Sequence, residues 1–477
     1  MKPLPLFLWL LTGLLLPLAL AGQPCFPNGI VFSNQAEIDS FPIHYPHCHH
    51  IGGDVRIYGA GSIRNLLGVS IIDTIDGSLD ISGNDSILQL GGLQNLKFIG
   101  NNLYIFDNGQ LEAVNALSGL VHIGGLVHIQ SNPQLSSLNG LNAIKYIPGD
   151  LVILENDLLQ DLSGMAPDSI GGTLLIGENH GLRSLDSLQC LQGVGGDLEV
   201  YFNAQLQTIS ALTNLKRIGR NLTISGNHNL TSLLGLEGID YVPGHFLLGR
   251  SRCVKDLHGM QNLGMIGQSL FISDNDSLEN LHHLLGLRSV GTFISLQSNP
   301  LLADITGLMN LKTMGGMLEI RDNQVLTHLS GLDSLDYASI SRINLEENPA
   351  LSYCEVRSIC DFLDHHHHPS YFSIENNALG CSSESEIKSA CDAIGISEYI
   401  WADQAIAFPN PSSGLIHFQP GDYAKDARVM IFDAYGRLVH ATKGIPMSLD
   451  LSANAEGMFI IEIRSADRMV RERLIKL

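Results

Sequence analysis

The stretch Gly77-Ser78-Leu79-Asp80-Ile81-Ser82-Gly83-Asn84 carries a core, Leu-x-Ile-x-x-Asn, whose variants recur about every 24 residues through most of the chain. Aligned on its last residue, the recurrence gives Asn84, Asn108, Asn132, Asn156, Asn179, Asn203, Asn227, Asn275, Asn299, Asn323 and Asn348. Ser251 fills the one gap, and Ala60 lies one period before the start. Apolar residues between the asparagines are equally regular: Ile87, Leu90, Leu93, Leu96 and Ile99 before Gly100, and Leu302, Ile305, Leu308, Leu311 and Met314 before Gly315. The whole unit follows neither the period of a strand nor that of a helix. A fixed repeat of this length reads as a solenoid, in which each coil buries its apolar residues only by stacking on its neighbours. Within the coil, Leu79 and Ile81 alternate as a short strand facing inward, and Asp80 and Ser82 face out.

The asparagine has a task in such a stack. Where a coil turns after its strand, backbone N–H and C=O groups lack strand partners, and a carboxamide offers both donors and an acceptor. Stacked coils superimpose these amides in a ladder, so the asparagines are read as scaffold and not as catalytic groups.

Composition and termini narrow the class. Lys2, an apolar run from Leu4 to Leu20 and the small residues Ala19-Leu20-Ala21 before Gly22 read as a secretory leader over residues 1–21, not a membrane span. No other segment is long and apolar enough to cross a bilayer. The expected mature chain has no transmembrane segment and passes through the periplasm to become secreted or surface-located. Apolar residues make up 44% of the 477, and aromatic residues only 6%, which fits an interior of Leu and Ile. A formal charge of −21 argues against a nucleic-acid partner, whose phosphates it repels.

In an exported chain the eight cysteines read as disulfide candidates. Cys25 and Cys48 flank the first coil and are expected to pair. Cys354, Cys360, Cys381 and Cys391 crowd past the last regular coil and allow three pairings. Cys354–Cys381 with Cys360–Cys391 is preferred, since each bond then joins neighbouring terminal coils, where a solenoid needs pinning. Cys190 and Cys253 lie too many coils apart to bond and are expected to be free, buried fillers.

The expected organisation is a leader (1–21), an N-terminal cap (22–51), a solenoid (52–350), a disulfide-bonded C-terminal cap (351–395), a linker (396–404) and a separate C-terminal unit (405–477). Pro24, Pro27, Pro42 and Pro46 are expected to keep the N-terminal cap irregular. The fold class is mainly β: a leucine-rich-repeat-like β-solenoid of about 13 coils followed by a small β-sandwich.

Two resemblances sharpen this outline. The phrase Val194-Gly195-Gly196-Asp197-Leu198-Glu199-Val200-Tyr201-Phe202-Asn203, repeated with variation over residues 52–393, resembles the receptor L domain repeat. That resemblance implies a ligand-binding or structural module without catalysis. The C-terminal unit is similar to the sorting domain of the Bacteroidetes type IX secretion system. Its matching residues are Pro409-Asn410-Pro411 with Gly414, Ile431-Phe432-Asp433 with Gly436, Gly457-Met458-Phe459, and the basic end Arg473 to Leu477. This implies an outer-membrane export address and the secretion machinery as a partner.

Residues that carry chemistry are sparse. His365, His366, His367 and His368 form a run, and imidazole suits transition metals, but the spacing is not that of a closed site. No metal or cofactor is therefore expected. The outward strand positions hold no adjacent carboxylate pair in successive coils, which disfavours a polysaccharide-acting β-helix enzyme. The abundant glycines are assigned to coil turns with positive φ. The outward columns do carry an apolar middle, with Tyr104, Phe106, His128, Leu154, Tyr201 and Phe271 as candidates for an exposed binding face for a protein or glycan ligand. The expected function is a non-catalytic surface binding or adhesion protein. The alternatives are a polysaccharide-acting β-helix enzyme, which the outward columns disfavour, and a purely structural surface spacer.

Overall fold

The computed structural model describes residues 23–394 and, beyond them, 400–401, 407–408, 410, 412–418, 427–434, 436–454, 456–464 and 469–476. The segment expected to be a leader (1–21), most of the expected linker, Pro409 and Pro411 lie outside the described residues.

A parallel sheet of 15 strands runs in chain order from Ile30–Phe32 to Phe372–Glu375. Its register repeats the sequence period: Leu79 pairs with Leu103 and Ile81 with Ile105, and so on coil after coil. The inward side chains are fully buried in one continuous core that extends from Phe32 to Cys391. Each such Leu or Ile contributes roughly 1.5–3 kcal/mol, and only through contact with the coils on either side.

A second face is built from two-residue strands such as Phe98–Ile99 and His122–Ile123. It is divided into three sheets of four strands, which restart at Tyr146–Ile147 and Tyr241–Val242. The residues after these restarting strands are Pro148 and Pro243, whereas Gly124 and Gly267 at the same position donate N–H to Ile99 and Val242 of the preceding coil. Proline has no N–H to give, so the ladder breaks there.

The glycines that follow the short strands correct the positive-φ assignment. Gly124 is not in the left-handed region; a Cβ there would lie 1.9 Å from the Gly100 carbonyl oxygen. Close stacking of backbone on backbone is what demands glycine. Gly124→Ala is expected to cost about 2–3 kcal/mol by forcing coils apart, read as a lowered Tm with the export behaviour of the chain unchanged.

The N-terminal cap also departs from expectation. A ten-residue helix, α1 (Gln35–His44), contains Pro42. Asn34 caps it, its Oδ1 accepting from Glu37 N at 3.1 Å, and Glu37 returns to accept from Ser33 N at 2.6 Å. That reciprocal pair satisfies one free N–H of the first turn, Glu37 N, and the N–H of Ser33 just before the cap, and it holds the Glu37 carboxyl below its usual range. Ile38 and Phe41 then pack under the first coil. Two further helices, α2 (Arg357–His365) and α3 (Glu384–Ile394), flank the strand Phe372–Glu375 at the other end.

The disulfides are Cys25–Cys48, Cys354–Cys381 and Cys360–Cys391, the pairs preferred from the sequence. Cys190 and Cys253 are free but exposed, not buried. Neither occupies one of the inward positions that the Leu and Ile columns define.

The C-terminal unit has its own core, including Ile416, Val429, Ile431, Ile461 and Leu474. A five-stranded sheet places Gly457–Arg464 between Met469–Lys476 and Arg428–Asp433, and a three-stranded sheet contains Leu415–Phe418.

Candidate functional site

The asparagines form an amide ladder with one interruption, at Ser251. Asn84 Nδ2 donates to Ile57 O and Ser82 O, each at 2.9 Å, while its Oδ1 accepts from Gly59 N at 2.9 Å. Asn108 Oδ1 in turn accepts from both Asn84 N and Asn84 Nδ2. All eleven asparagines are fully buried. One further rung falls outside the sequence period: Asn377, whose Oδ1 accepts from Asn348 Nδ2 at 3.0 Å and whose Nδ2 donates to Leu345 O. At Ser251 the hydroxyl keeps the bond within its own coil, donating to Gly249 O at 3.1 Å, and among the described residues makes no side-chain bond to a neighbouring coil. Ser251→Asn is expected to complete the column and add about 1 kcal/mol of stability, visible as a raised Tm.

Three further periodic devices fix the coil. The residue before each ladder position is left-handed, as at Asp107 (φ 57°), Glu155 (54°), Glu178 (55°) and Phe202 (52°), with glycine only at Gly83 and Gly226. One residue before the main strands, Asp150 and Asp197 accept from Thr173 N at 2.7 Å and Asn221 N at 2.8 Å in the next coil. Five residues after the ladder, short polar side chains cap the turn: Asp161 accepts from Ser163 N, Asp256 from His258 N and Asp304 from Thr306 N.

With the coil so fixed, the outward columns become a surface. Tyr104 pairs in register with His128 and Phe106 with Gln130; His128 is followed by Val152 and then Leu175, and Gln130 by Leu154 and then Gly177. Tyr201 lies beside Gly177 on the next strand, where a Cβ would meet Tyr201 Cε2 at 2.6 Å and Leu154 Cδ2 at 2.9 Å. Tyr104, Phe106, His128, Leu154 and Tyr201 therefore belong to one patch across five strands. Thr223 and Ser225 of the following coil interrupt it, and Phe271 stands apart with His245 and Phe293, at ring separations of 5.8 and 5.5 Å. These side chains are half-buried and not fully exposed, because parallel neighbours shade one another.

The patch is electrostatically negative. Tyr201's hydroxyl is held above its usual pKa by burial first and then by Glu178, Glu199 and Glu155. Glu199 is likewise raised, by burial and by Asp197, with Arg220 opposing. Since the folded chain binds this proton more readily than the unfolded one, Glu199→Gln should be the more stable at neutral pH. The difference in Tm should close as pH falls through the raised pKa toward the ordinary glutamate range.

The histidine run is dispersed. His365 Nδ1 lies 2.7 Å from Asp361 O, His366 stacks on Phe362 at 4.2 Å, His367 is exposed, and His368 Nδ1 meets Ser370 Oγ at 2.8 Å. No group of three or more His, Cys, Asp or Glu among the described residues is placed to hold a metal ion.

The second functional element is the C-terminal unit. Its motif glycines have positive φ, 124° at Gly414, 78° at Gly436 and 142° at Gly457, the last being the first residue of a strand. Gly436 N donates to Asp433 O, and Arg437 Nε returns to the Asp433 carboxylate at 2.7 Å, closing the turn between two strands. Asn410 Oδ1 accepts from Ile475 N at 2.9 Å and ties the start of the unit to its last strand.

Residues 406–477 match the family model of the secretion system C-terminal sorting domain. The sorting domain indicates export by type IX secretion, to the cell surface or into the medium, and interaction with that machinery. No curated protein matches the chain. No helix among the described residues is long and apolar enough to span a membrane.

Proposed function

We propose that the solenoid is a non-catalytic binding module that the sorting domain delivers to the outside of the cell. The observation that supports this reading is the unbroken patch from Tyr104 to Tyr201, rings and aliphatic side chains brought side by side on the open face of a rigid parallel sheet. Contiguous apolar surface rimmed by polar residues is where soluble proteins usually receive partners. The resemblance of the coils to receptor L domains agrees with a recognition role, and the outward strand positions of the patch place no two carboxylates in register on adjacent strands for glycoside cleavage; the one such pair among the described strands of the long sheet, Glu346 and Glu375, lies at its far end.

Tyr104→Ser, Phe106→Ser and Tyr201→Ser made together are expected to abolish retention on the protein's ligand, found by screening glycans and surface extracts, while leaving Tm within a few degrees. Undiminished retention would reject the face. A chain that binds nothing in such screens would instead be a spacer.

A further inference from the structure

Tyr104, Phe106 and His128 form a near-regular triangle, their ring centroids 6.3, 6.4 and 6.5 Å apart. Two of the rings are pinned: Asn102 Nδ2 donates to Tyr104 Oη at 3.1 Å, and His128 Nε2 lies 2.8 Å from Gln130 Oε1. The planes meet at 89°, 58° and 33°, so the rings make no flat platform on which a sugar could lie. Angled π faces favour a cation, which is attracted to a ring from above.

The charges beside the rings agree. The left-handed corner that ends each strand sets Asp107, Glu155 and Glu178 along the edge of the patch. Glu155 accepts only from neutral donors, Gln130 Nε2 at 3.1 Å and Ser131 Oγ at 2.5 Å. Among the described residues, no lysine or arginine forms an ion pair with these three carboxylates; the corner carboxylates of later coils, Asp274, Asp322 and Glu347, also lack such a partner, but only the first three lie beside the rings. The patch thus combines apolar surface with uncompensated negative charge on a chain already at −21. Its five strands span about 19 Å, the length of about six residues of extended peptide.

We propose that the face from Tyr104 to Tyr201 binds an extended cationic polypeptide segment, with lysine or arginine side chains at Asp107, Glu155 and Glu178 and apolar side chains on the rings and Leu154. The proposal rests on the binding reading above and names its partner: a basic, partly apolar peptide and not a neutral glycan.

The test uses the full chain and a fluorescent peptide of about seven residues alternating leucine and arginine, its glutamate-for-arginine counterpart, and a neutral gluco-oligosaccharide. The arginine peptide should bind at least about tenfold tighter than the glutamate peptide and lose affinity as salt is raised. Asp107→Asn, Glu155→Gln and Glu178→Gln together should weaken it by about tenfold or more and flatten the salt dependence. Neutralising Asp168, Asp186 and Asp240, exposed acids on other faces, removes the same charge and should leave affinity within about twofold. Equal loss from both triple variants, or no loss from the first at unchanged Tm, overturns the proposal. Binding of the oligosaccharide that survives the first triple but is lost with Tyr104→Ser, Phe106→Ser and Tyr201→Ser overturns the cationic partner and keeps the binding face. Insensitivity of every probe to the ring substitutions overturns both.

Discussion

Asn203→Ala is expected to lower stability by about 2–5 kcal/mol, because removing one carboxamide strands two buried backbone groups. Asn203 Oδ1 accepts from Asn179 N at 3.1 Å, and Asn203 Nδ2 donates to Ile176 O at 3.0 Å and Tyr201 O at 3.1 Å. Each of the first two is deep in the stack, where water cannot take over. The damage is not confined to one coil. Asn179 Nδ2 also reaches Asn203 Oδ1, so the rung below loses one of its contacts while keeping those to Ile153 O and Gly177 O. Since each coil is held only by its neighbours, a weakened rung in mid-array uncouples the coils on either side. Calorimetry should show a lowered and broadened transition, whereas a change at exposed Asn101 should leave it in place. Asn203→Ser is expected to fall between the two, as the natural Ser251 still donates to a backbone carbonyl.

The periodic core was legible because its cause is local and repeated. Leu and Ile recur wherever the chain faces inward, and the register of the long sheet follows from their spacing. Features that depend on the distance between coils were not. Gly124 is glycine because Gly100 O approaches it, and no single-coil reading reveals that contact. Asn377 escaped because the cap helix α2 lengthens the last step of the ladder to 29 residues. The left-handed corner was signalled only by Gly83 and Gly226; at the other coils Asp, Glu, Ser, Phe or Arg takes the same conformation, so composition hides it. The short polar residues that cap the turns, such as Asp161 and Asp304, vary in type from coil to coil, and their task shows only in the hydrogen bonds they accept. In the N-terminal cap the prolines drew attention away from the Ser33–Glu37 signal that begins α1.

For the candidate site, the outward columns were read from alternation alone, which places a side chain on a face but says nothing of its neighbours' reach. Register then decides which candidates meet. Five of the six do, and Phe271 does not, because Thr223 and Ser225 intervene. Half-burial of the rings follows from the closeness of parallel strands, about 4.8 Å, and is invisible in a single repeat.

The second large effect concerns delivery. The solenoid and its caps form one hydrophobic core, and the sorting domain forms another. All three disulfides lie within the solenoid and its caps. A chain ending at Gln404 therefore keeps every residue of the first core and every disulfide, and should fold with the same thermal transition for that part. What it loses is the export address, so the defect should be in location and not in stability. The full chain and the Gln404-terminated chain, produced in cells with a type IX system and fractionated, test this directly. The full chain is expected at the surface or in the medium, and the shortened chain folded, oxidised and held in the periplasm. Arrival of the shortened chain outside the cell, or its failure to fold, would contradict that expectation.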